Sequence, residues 1–300
     1  MAADDRWPGP WPGIPGHTWA PGRSDRRYYI PVVSVSHMEY GAIEYERREA
    51  TVWVSLDRPG ALNALNDELL TELEQAVYRA EEADGVRALV IDGNGDAFSS
   101  GYDISNAESD ATTDERVHDQ RTHLEAVFSA RLPVIAAVDG AAVAGGCNLA
   151  LVCDLTFATE GSEFGYPDMH FGEPPPKFVL PFVTDSLKDA RELLYSGKNV
   201  DAEAAAEMGL VNDVVPAGEL AARVEAELDH IRKTPSTALT MVKAMLNDVQ
   251  ETQGYRRYGR VEELVGALSM ETDAPDRFRE IRDEEGLQAA LEWMHGTDKP

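Results

Sequence analysis

From Gly140 to Cys153 the chain runs for 14 residues without a charge, between Asp139 and Asp154. A run this apolar has to be buried, yet it is shorter than the roughly 20 residues needed to cross a bilayer. It also carries Gly140, Gly145 and Gly146, so it reads as core rather than as a membrane span. Just before it, Leu132 to Val138 reads as a buried strand. Gly-rich residues 144–146 then lead into a helix through about Val152. The first N–H groups of such a helix have no partner within it, and the helix dipole makes that end positive. An oxygen that gains negative charge is stabilised there, and glycine lets it approach the backbone closely. A Gly pair before a helix has a second explanation, close packing alone.

The rest of the chain fits around this strand–turn–helix unit. Ala42 to Leu56 is strand-like, with Val52, Trp53 and Val54 as strand formers, and Arg58-Pro59-Gly60 breaks it. Asn66 is a good N-cap, and Leu69, Leu70, Leu73, Ala76, Val77 and Ala80 follow a helical stripe. Ala88 to Ile91 is a short buried strand closed by the turn Gly93-Asn94-Gly95-Asp96. Residues 114–131 read as a helix and Leu155 to Ala158 as another strand. Strands alternating with helices predict an α/β fold with a largely parallel core. The last third changes character: residues 186–195, 201–208, 217–233, 236–250, 256–270 and 275–294 read as helices, separated by breaks such as Gly209 and Pro235. The expected organisation is an α/β core over 38–200 followed by an all-helical part over 201–300, with no internal repeat.

Residues 1–37 stand apart. They hold 6 of the 17 prolines and 3 of the 5 tryptophans, and their charge is nearly balanced at four Arg against three Asp. A segment this rich in Pro and Gly is read as a disordered extension. An upstream start codon before Met38, or an arm packed on a neighbouring surface, are the other readings. The formal net charge of the whole is −27, with 27 Lys and Arg together, and by count 21 of these are Arg and 6 are Lys. Heavy acidity with scarce Lys suits a halophile's surface; an ordinary acidic cytosolic protein is the plainer alternative. Such a charge repels phosphate backbones, so nucleic acid is not an expected partner. Cys147 and Cys153 lack CxxC or Cys/His partners, which argues against a disulfide framework and a metal site. No signal peptide is visible, and a soluble, cytoplasmic protein is expected.

Three segments carry the chemistry: AFSSGYDIS at Ala97–Ser105, DGAAVAGGCNLALVCD at Asp139–Asp154, and FGYPDMHFGEPPP at Phe164–Pro176. In this order and spacing they resemble the crotonase (enoyl-CoA hydratase/isomerase) superfamily. Arg58-Pro59 with ALNALN at 61–66, and ELLYSGKNVDAEAAAEMGLVNDVV at 192–215, agree. The resemblance covers roughly Gly41 to Met294. It implies a ββα spiral core, C-terminal helices used in trimerisation with trimers often pairing into hexamers, and an acyl-CoA thioester as substrate. No cofactor is implied beyond the coenzyme A of that substrate. Carried over residue by residue, it implies one oxyanion-hole N–H from Tyr102, after Gly101, and the other from Gly145. Tyr102, Asp103, Ile104 and Ser105 would lie along the pantetheine arm, and Ala61 and Leu62 against the CoA nucleotide. The Tyr102 side chain either projects near the acyl pocket or packs as core.

The family's hydratases place two Glu 20 residues apart to position and activate water. Here those positions hold Asn148 and Asp168. Asn can hold a water or substrate by hydrogen bonds but cannot transfer a proton. Asp168 can do acid–base work, although its carboxylate is set back by about 1.5 Å relative to Glu. One acid suffices for family isomerases. Hydroxycinnamoyl-CoA hydratase-lyases also look similar at Gly172-Glu173-Pro174-Pro175, and family decarboxylases and hydrolases drop one or both Glu. The leading expectation is therefore an enoyl-CoA hydratase or isomerase with Asp168 as its single acid/base. A CoA-thioester lyase, decarboxylase or hydrolase is the runner-up. A catalytically weak acyl-CoA-binding subunit is the reading from another class. Glu173 is either a displaced acid or an exposed loop carboxylate. His170 reaches the face of Asp168 only on a regular extended segment. Asp139 and Asp154 are read as capping turns or pairing with Arg, and Tyr255 and Tyr258 as core or interface packing.

Overall fold

Short apolar runs separated by tight turns build most of this molecule. The computed structural model describes residues 39–103, 123–171, 179–259, 261, 265 and 273–296. The strand-like stretch Ala42–Leu56 is a hairpin of β1 (Ile43–Arg48) and β2 (Thr51–Leu56), paired antiparallel with Arg48 opposite Thr51. Glu49 takes a left-handed conformation at φ 53°, which turns the chain between them. The following helix, Asp67–Glu82, is capped by the Asn66 side chain, which accepts from the Leu69 N–H at 3.0 Å. Its buried residues are the six of the predicted stripe, Leu69, Leu70, Leu73, Ala76, Val77 and Ala80.

From there the chain winds as a ββα spiral. Each turn lays one strand in a six-stranded sheet and the next in a four-stranded sheet. β3 (Ala88–Gly93), β5 (Val134–Val138), β7 (Leu155–Thr159) and later β10 (Asp213–Val215) join the first sheet, which has the order β1-β2-β3-β5-β7-β10. β4 (Ala97–Ser99), β6 (Ala141–Val143), β8 (Glu163–Gly165) and later β9 (Asn199–Asp201) join the second, in the order β4-β6-β8-β9. β2, β3, β5, β7 and β10 run parallel, as do β4, β6 and β8. Successive turns sit directly on one another. At Gly140, φ 74°, an added Cβ would come within 2.3 Å of the Asp96 carbonyl oxygen of the preceding turn. Only glycine fits a left-handed corner at that separation.

Both faces of the larger sheet are covered, as an all but wholly parallel sheet requires. One face carries the main core, including Val52, Val54, Leu89, Ile91 and Val138. On the other, Trp53, Val90, Ile135, Ala137 and Phe157 meet Val224 and Leu228 of the helix Leu220–Ile231. The last third is mostly helical, with Leu187–Ser196, Ala202–Glu207, Leu220–Ile231 and Ser236–Gln253 near the predicted positions. It differs from an all-helical region in one respect: Asp213–Val215 forms β10 and extends the main sheet beside β7. Three residues show no period. The strand follows from the free edge of β7, where Asn212 N–H donates to the Thr156 carbonyl at 2.8 Å and its side chain accepts from Thr156 N–H at 2.7 Å. β9 (Asn199–Asp201) likewise pairs antiparallel with β8. The helix expected over 275–294 is two helices, Asp273–Glu285 and Leu287–His295, parted at Gly286 with φ 96°. Within the expected helix 114–131, residues 123–128 are helical. Its earlier part, most of 256–270 and residues 1–37 lie outside the described residues.

The helix Ser236–Gln253 is inverted relative to an ordinary surface helix. Three of its polar side chains face the protein: Thr240 Oγ1 donates to the Arg131 carbonyl at 2.8 Å, and Asn247 Nδ2 to the Phe128 carbonyl at 2.9 Å. Between them Lys243, 6% exposed, donates to Asp154 Oδ2 at 2.7 Å and to the Leu132 carbonyl at 3.2 Å. Met241, Val242, Met245, Leu246 and Val249 face outward and are exposed. Asp154 also accepts from the Val134 N–H at 2.7 Å. Burial raises its carboxyl pKa, and Lys243 works against that rise. Lys243 is the buried member of this pair, while Asp154 stays partly exposed to water. Lys243→Met is expected to lower stability by about 2 kcal/mol, the loss of a hydrogen bond to a charged group rather than of a fully buried ion pair. Urea titration reads this directly, and a loss below about 1 kcal/mol would show that the pair contributes little.

Candidate active site

The first turn of the helix Gly145–Val152 is the centre of the candidate site. Ala144 precedes it at φ 53°, ψ −121°, a conformation rare for a residue with a side chain. Its N–H donates to the Gly165 carbonyl at 2.8 Å, which holds the turn in place. Gly145 is the first helical residue, so its N–H has no acceptor within the helix. Against this turn lies the segment after β4. A Cβ on Gly146 would come within 2.3 Å of the Ser99 carbonyl oxygen, and one on Gly101 within 3.0 Å of the Gly145 nitrogen. A Cβ on Gly145 would meet the Tyr102 ring at 2.7 Å. The Tyr102 ring therefore lies over the helix terminus and packs, partly buried, against the main core.

Tyr102 is bridged to Leu65 as two parallel strands would be. Leu65 N–H donates to the Gly101 carbonyl at 2.8 Å, and Asp103 N–H to the Leu65 carbonyl at 3.1 Å. In such a ladder successive N–H groups point to opposite sides, so the Tyr102 N–H faces away from Leu65. Two backbone donors, from Tyr102 and Gly145, are thus built into one contact.

The loop after β2 is stitched to this segment by residues whose role sequence reasoning missed. Arg58, read as part of a strand break and of the family resemblance but given no contact, bonds Asp103 Oδ2 at 2.9 Å and also donates to the Ala64 carbonyl. Asn63 is fully buried at φ 53°. Its Nδ2 donates to the carbonyls of Ala97 at 2.8 Å and Asn94 at 3.0 Å, and its own carbonyl accepts from Ser99 Oγ at 2.8 Å. Asn tolerates the left-handed conformation better than most residues, and that is the one local signal it gives. Ala61 ends the 3₁₀ turn Pro59–Ala61, and Leu62 follows at φ 51° with 49% of its surface exposed. Both border the stitched loops on the solvent side. Ile104, Ser105 and Glu173 lie outside the described residues.

One helical turn in from Gly145, Asn148 is fully buried, and its Oδ1 accepts from the Tyr166 hydroxyl at 3.0 Å. Tyr166 stands two residues before Asp168, so the two positions that the hydratases fill with Glu are tied through it. Asp168, 8% exposed, belongs to a 3₁₀ turn, Pro167–Phe171, not an extended segment. At three residues per turn, residues two apart do not share a face. His170 accordingly turns away from Asp168: its Nε2 donates to the Ser196 carbonyl at 2.8 Å, at the end of the helix Leu187–Ser196, and its ring packs on Gly197. Asp139 accepts from Thr159 Oγ1 at 2.8 Å, and Asp154 pairs with Lys243, so both serve the scaffold. Tyr255 stacks on Phe128 with centroids 4.3 Å apart and meets Phe182 edge-on at 5.7 Å. Tyr258 meets Phe182 edge-on at 6.0 Å. Cys147 and Cys153 are buried thiols, and burial pushes the Cys153 pKa up. Among the described residues, no helix is long and apolar enough to cross a membrane, and no group of three or more His, Cys, Asp or Glu is placed to hold a metal ion.

The glycine contacts make a graded prediction. A methyl at Gly146 meets backbone, which cannot yield, whereas one at Gly145 meets a tyrosine ring. Overpacking costs about 1–3 kcal/mol. Gly146→Ala is expected at or beyond the upper end of that range and Gly145→Ala below it, read as melting temperatures by circular dichroism. Equal melting temperatures would contradict the packing described.

Known proteins resemble this chain in sequence and in fold. Residues 46–287 match the family model for enoyl-CoA hydratase/isomerase. A probable enoyl-CoA hydratase of Mycobacterium bovis is 32% identical over 217 residues, 72% of this chain and 84% of that protein. A crotonyl-CoA hydratase of Syntrophomonas wolfei is 31% identical over 267 residues, 85% of this chain and 96% of that protein. The crystal structure of an enoyl-CoA hydratase/isomerase from Xanthobacter autotrophicus Py2 superposes with a TM-score of 0.82 at 32% identity, covering 87% of this chain and 100% of its own. The chain belongs to the enoyl-CoA hydratase/isomerase family and is an enzyme of the crotonase superfamily.

Proposed function

We propose that this enzyme adds water across the double bond of a 2-enoyl-CoA thioester. The observation that carries the reading is the contact between the Gly145 helix terminus and the Tyr102 segment, with Asn148 bonded to Tyr166, two residues before Asp168. The N–H groups of Tyr102 and Gly145 donate to the thioester oxygen, which gains negative charge as water attacks the β-carbon. Donors aimed at developing charge are the largest single source of rate in such sites. Asp168 takes a proton from the water as the new C–O bond forms, then returns one to the α-carbon as the enolate collapses. Asn148 holds the water oxygen without competing for its proton. Gly101, Tyr102 and Asp103, continuing to Ile104 and Ser105, receive the pantetheine arm, and Ala61 and Leu62 the CoA nucleotide. A crotonyl-CoA hydratase among the relatives supports the substrate class.

The amide at Asn148 favours one second reading, isomerisation of a β,γ-enoyl-CoA by Asp168 alone. Crotonyl-CoA, a β,γ-enoyl-CoA and a malonyl-type CoA, with products read by mass spectrometry, separate hydration, isomerisation and decarboxylation. Loss of a positioned acid–base group costs about 10²–10⁴ in rate. Asp168→Asn is expected to lower kcat at least about 100-fold while thioester affinity stays within a few-fold. Unchanged turnover would remove Asp168 from the mechanism.

The reading extends to assembly as a homotrimer or a pair of trimers. The support is the inverted helix Ser236–Gln253, whose exposed Met241, Val242, Met245, Leu246 and Val249 form one apolar stripe. Met245→Glu with Leu246→Glu is expected to shift the sedimenting species to monomer. A variant that keeps the wild-type mass in analytical ultracentrifugation would place the interface elsewhere.

A further inference from the structure

Arg58 is the residue on which the loop before the helix Asp67–Glu82 closes. Its carbonyl accepts from the Ala61 N–H at 2.9 Å and the Asn63 N–H at 3.0 Å, and its own N–H donates to Asn63 Oδ1 at 2.8 Å. The backbone is held from both sides, so the side chain starts from a fixed base. From there the guanidinium reaches back across the loop. Nη1 donates to the Ala64 carbonyl, and Nη2 to Asp103 Oδ2 at 2.9 Å. The Asp103 side chain is 8% exposed and that of Arg58 22%, so the pair is largely shielded from water.

Ala64 and Asp103 adjoin one particular pair, Leu65 and Tyr102, which are bridged as parallel strands. Two main-chain bonds hold that pair, from Leu65 N–H to the Gly101 carbonyl and from Asp103 N–H to the Leu65 carbonyl. The first of them sets the plane of the Gly101–Tyr102 peptide. A peptide is rigid and its N–H points opposite to its C=O, so fixing the Gly101 carbonyl on Leu65 aims the Tyr102 N–H the other way. Gly101, at φ 99°, supplies little restraint of its own, because glycine moves freely among backbone conformations. We infer that Arg58 is a positioning residue for the Tyr102 N–H. By gripping Ala64 on one strand and Asp103 on the other, its guanidinium clamps the Leu65–Tyr102 ladder and keeps that N–H aimed at the thioester oxygen. This rests on the reading above, in which Tyr102 donates to that oxygen. The forked geometry of arginine suits the task, since a lysine would bring one point of attachment to two acceptors. Both Nη groups bond protein acceptors, which favours the clamp over a role as ligand to the CoA phosphates.

The probe is butyryl-CoA isotopically labelled at its thioester carbonyl, which has no double bond to hydrate. Difference infrared spectroscopy reads its carbonyl stretch on the wild type, Arg58→Met and Asp103→Asn, because hydrogen bonds to the oxygen weaken the C=O bond and lower its frequency. The wild type is expected to lower the frequency relative to the free thioester. Arg58→Met is expected to lose about half of that shift, one of the two donors being out of line. Its kcat on crotonyl-CoA should fall about tenfold, less than the roughly 100-fold that follows outright loss of such a donor. Affinity for free CoA, which has no acyl carbonyl, should be unchanged. A wild-type carbonyl frequency in Arg58→Met overturns the inference. So does an equal loss of affinity for free CoA and butyryl-CoA, which would make Arg58 a phosphate ligand. Asp103→Asn keeps the shape of the side chain but removes the charge at the far end of the clamp, and it should move the frequency in the same direction. It replaces Arg58→Met if that variant fails to fold, and an unmoved frequency there again overturns the inference. A wild-type enzyme that leaves the carbonyl at its free frequency overturns the donor reading itself and this inference with it. A wild-type shift that survives both substitutions overturns the inference alone.

Discussion

The site depends on a close approach between main chains: the segment Ser99–Tyr102 lies against the first turn of the helix Gly145–Val152 with no room for a side chain between them. Three glycines permit it, and a strained Ala144, anchored by its bond to Gly165, completes the turn. Each of the two segments follows a short strand of the smaller sheet, β4 in one case and β6 in the other, and these strands are neighbours in parallel register. The spiral thus brings the main chains of these two segments together as a consequence of stacking one turn on the next. The polar stitching of Arg58, Asn63 and Ser99 then fixes the loop that would otherwise be free to drift from the helix end.

Much of this was legible in the order of residues, and the rest was not for identifiable reasons. The Asn66 cap, the buried stripe after it and the glycine turn before a helix are local patterns, and each appears where expected. β4, β6, β8 and β10 are three residues each, too short to display a period, and their pairing depends on neighbours far along the chain. The same holds for Asn63 and Tyr166, whose partners lie 34 and 18 residues away. The segment around Asp168 coils into a 3₁₀ turn instead of extending, so the extended spacing that His170 needs to share the face of Asp168 is not present. Gly286 parts a helix that continuous periodicity had joined.

Charge is distributed with equal economy. A chain of net charge −27 has 27 cationic residues, and among the described residues one lysine, Lys243, is buried. Lys243 docks the helix Ser236–Gln253 through Asp154 and main-chain carbonyls, so the attachment of that helix is polar while its outward face is apolar. Ordinary amphipathic docking would reverse the two. The arrangement leaves the apolar stripe for another surface without weakening the hold of the helix on its own core.

A backbone amide is the one functional group that an ordinary point mutation cannot delete, since every residue but proline carries it. In the function proposed above, the carbonyl-polarising half of the enzyme is consequently inherited through conformation, whereas the proton-handling half resides in side chains that single codon changes can exchange. On that reading Asn148 and Asp168 mark the part of the site free to diversify, and a lineage can wander from one thioester chemistry to another there while the backbone donors of Tyr102 and Gly145 persist underneath.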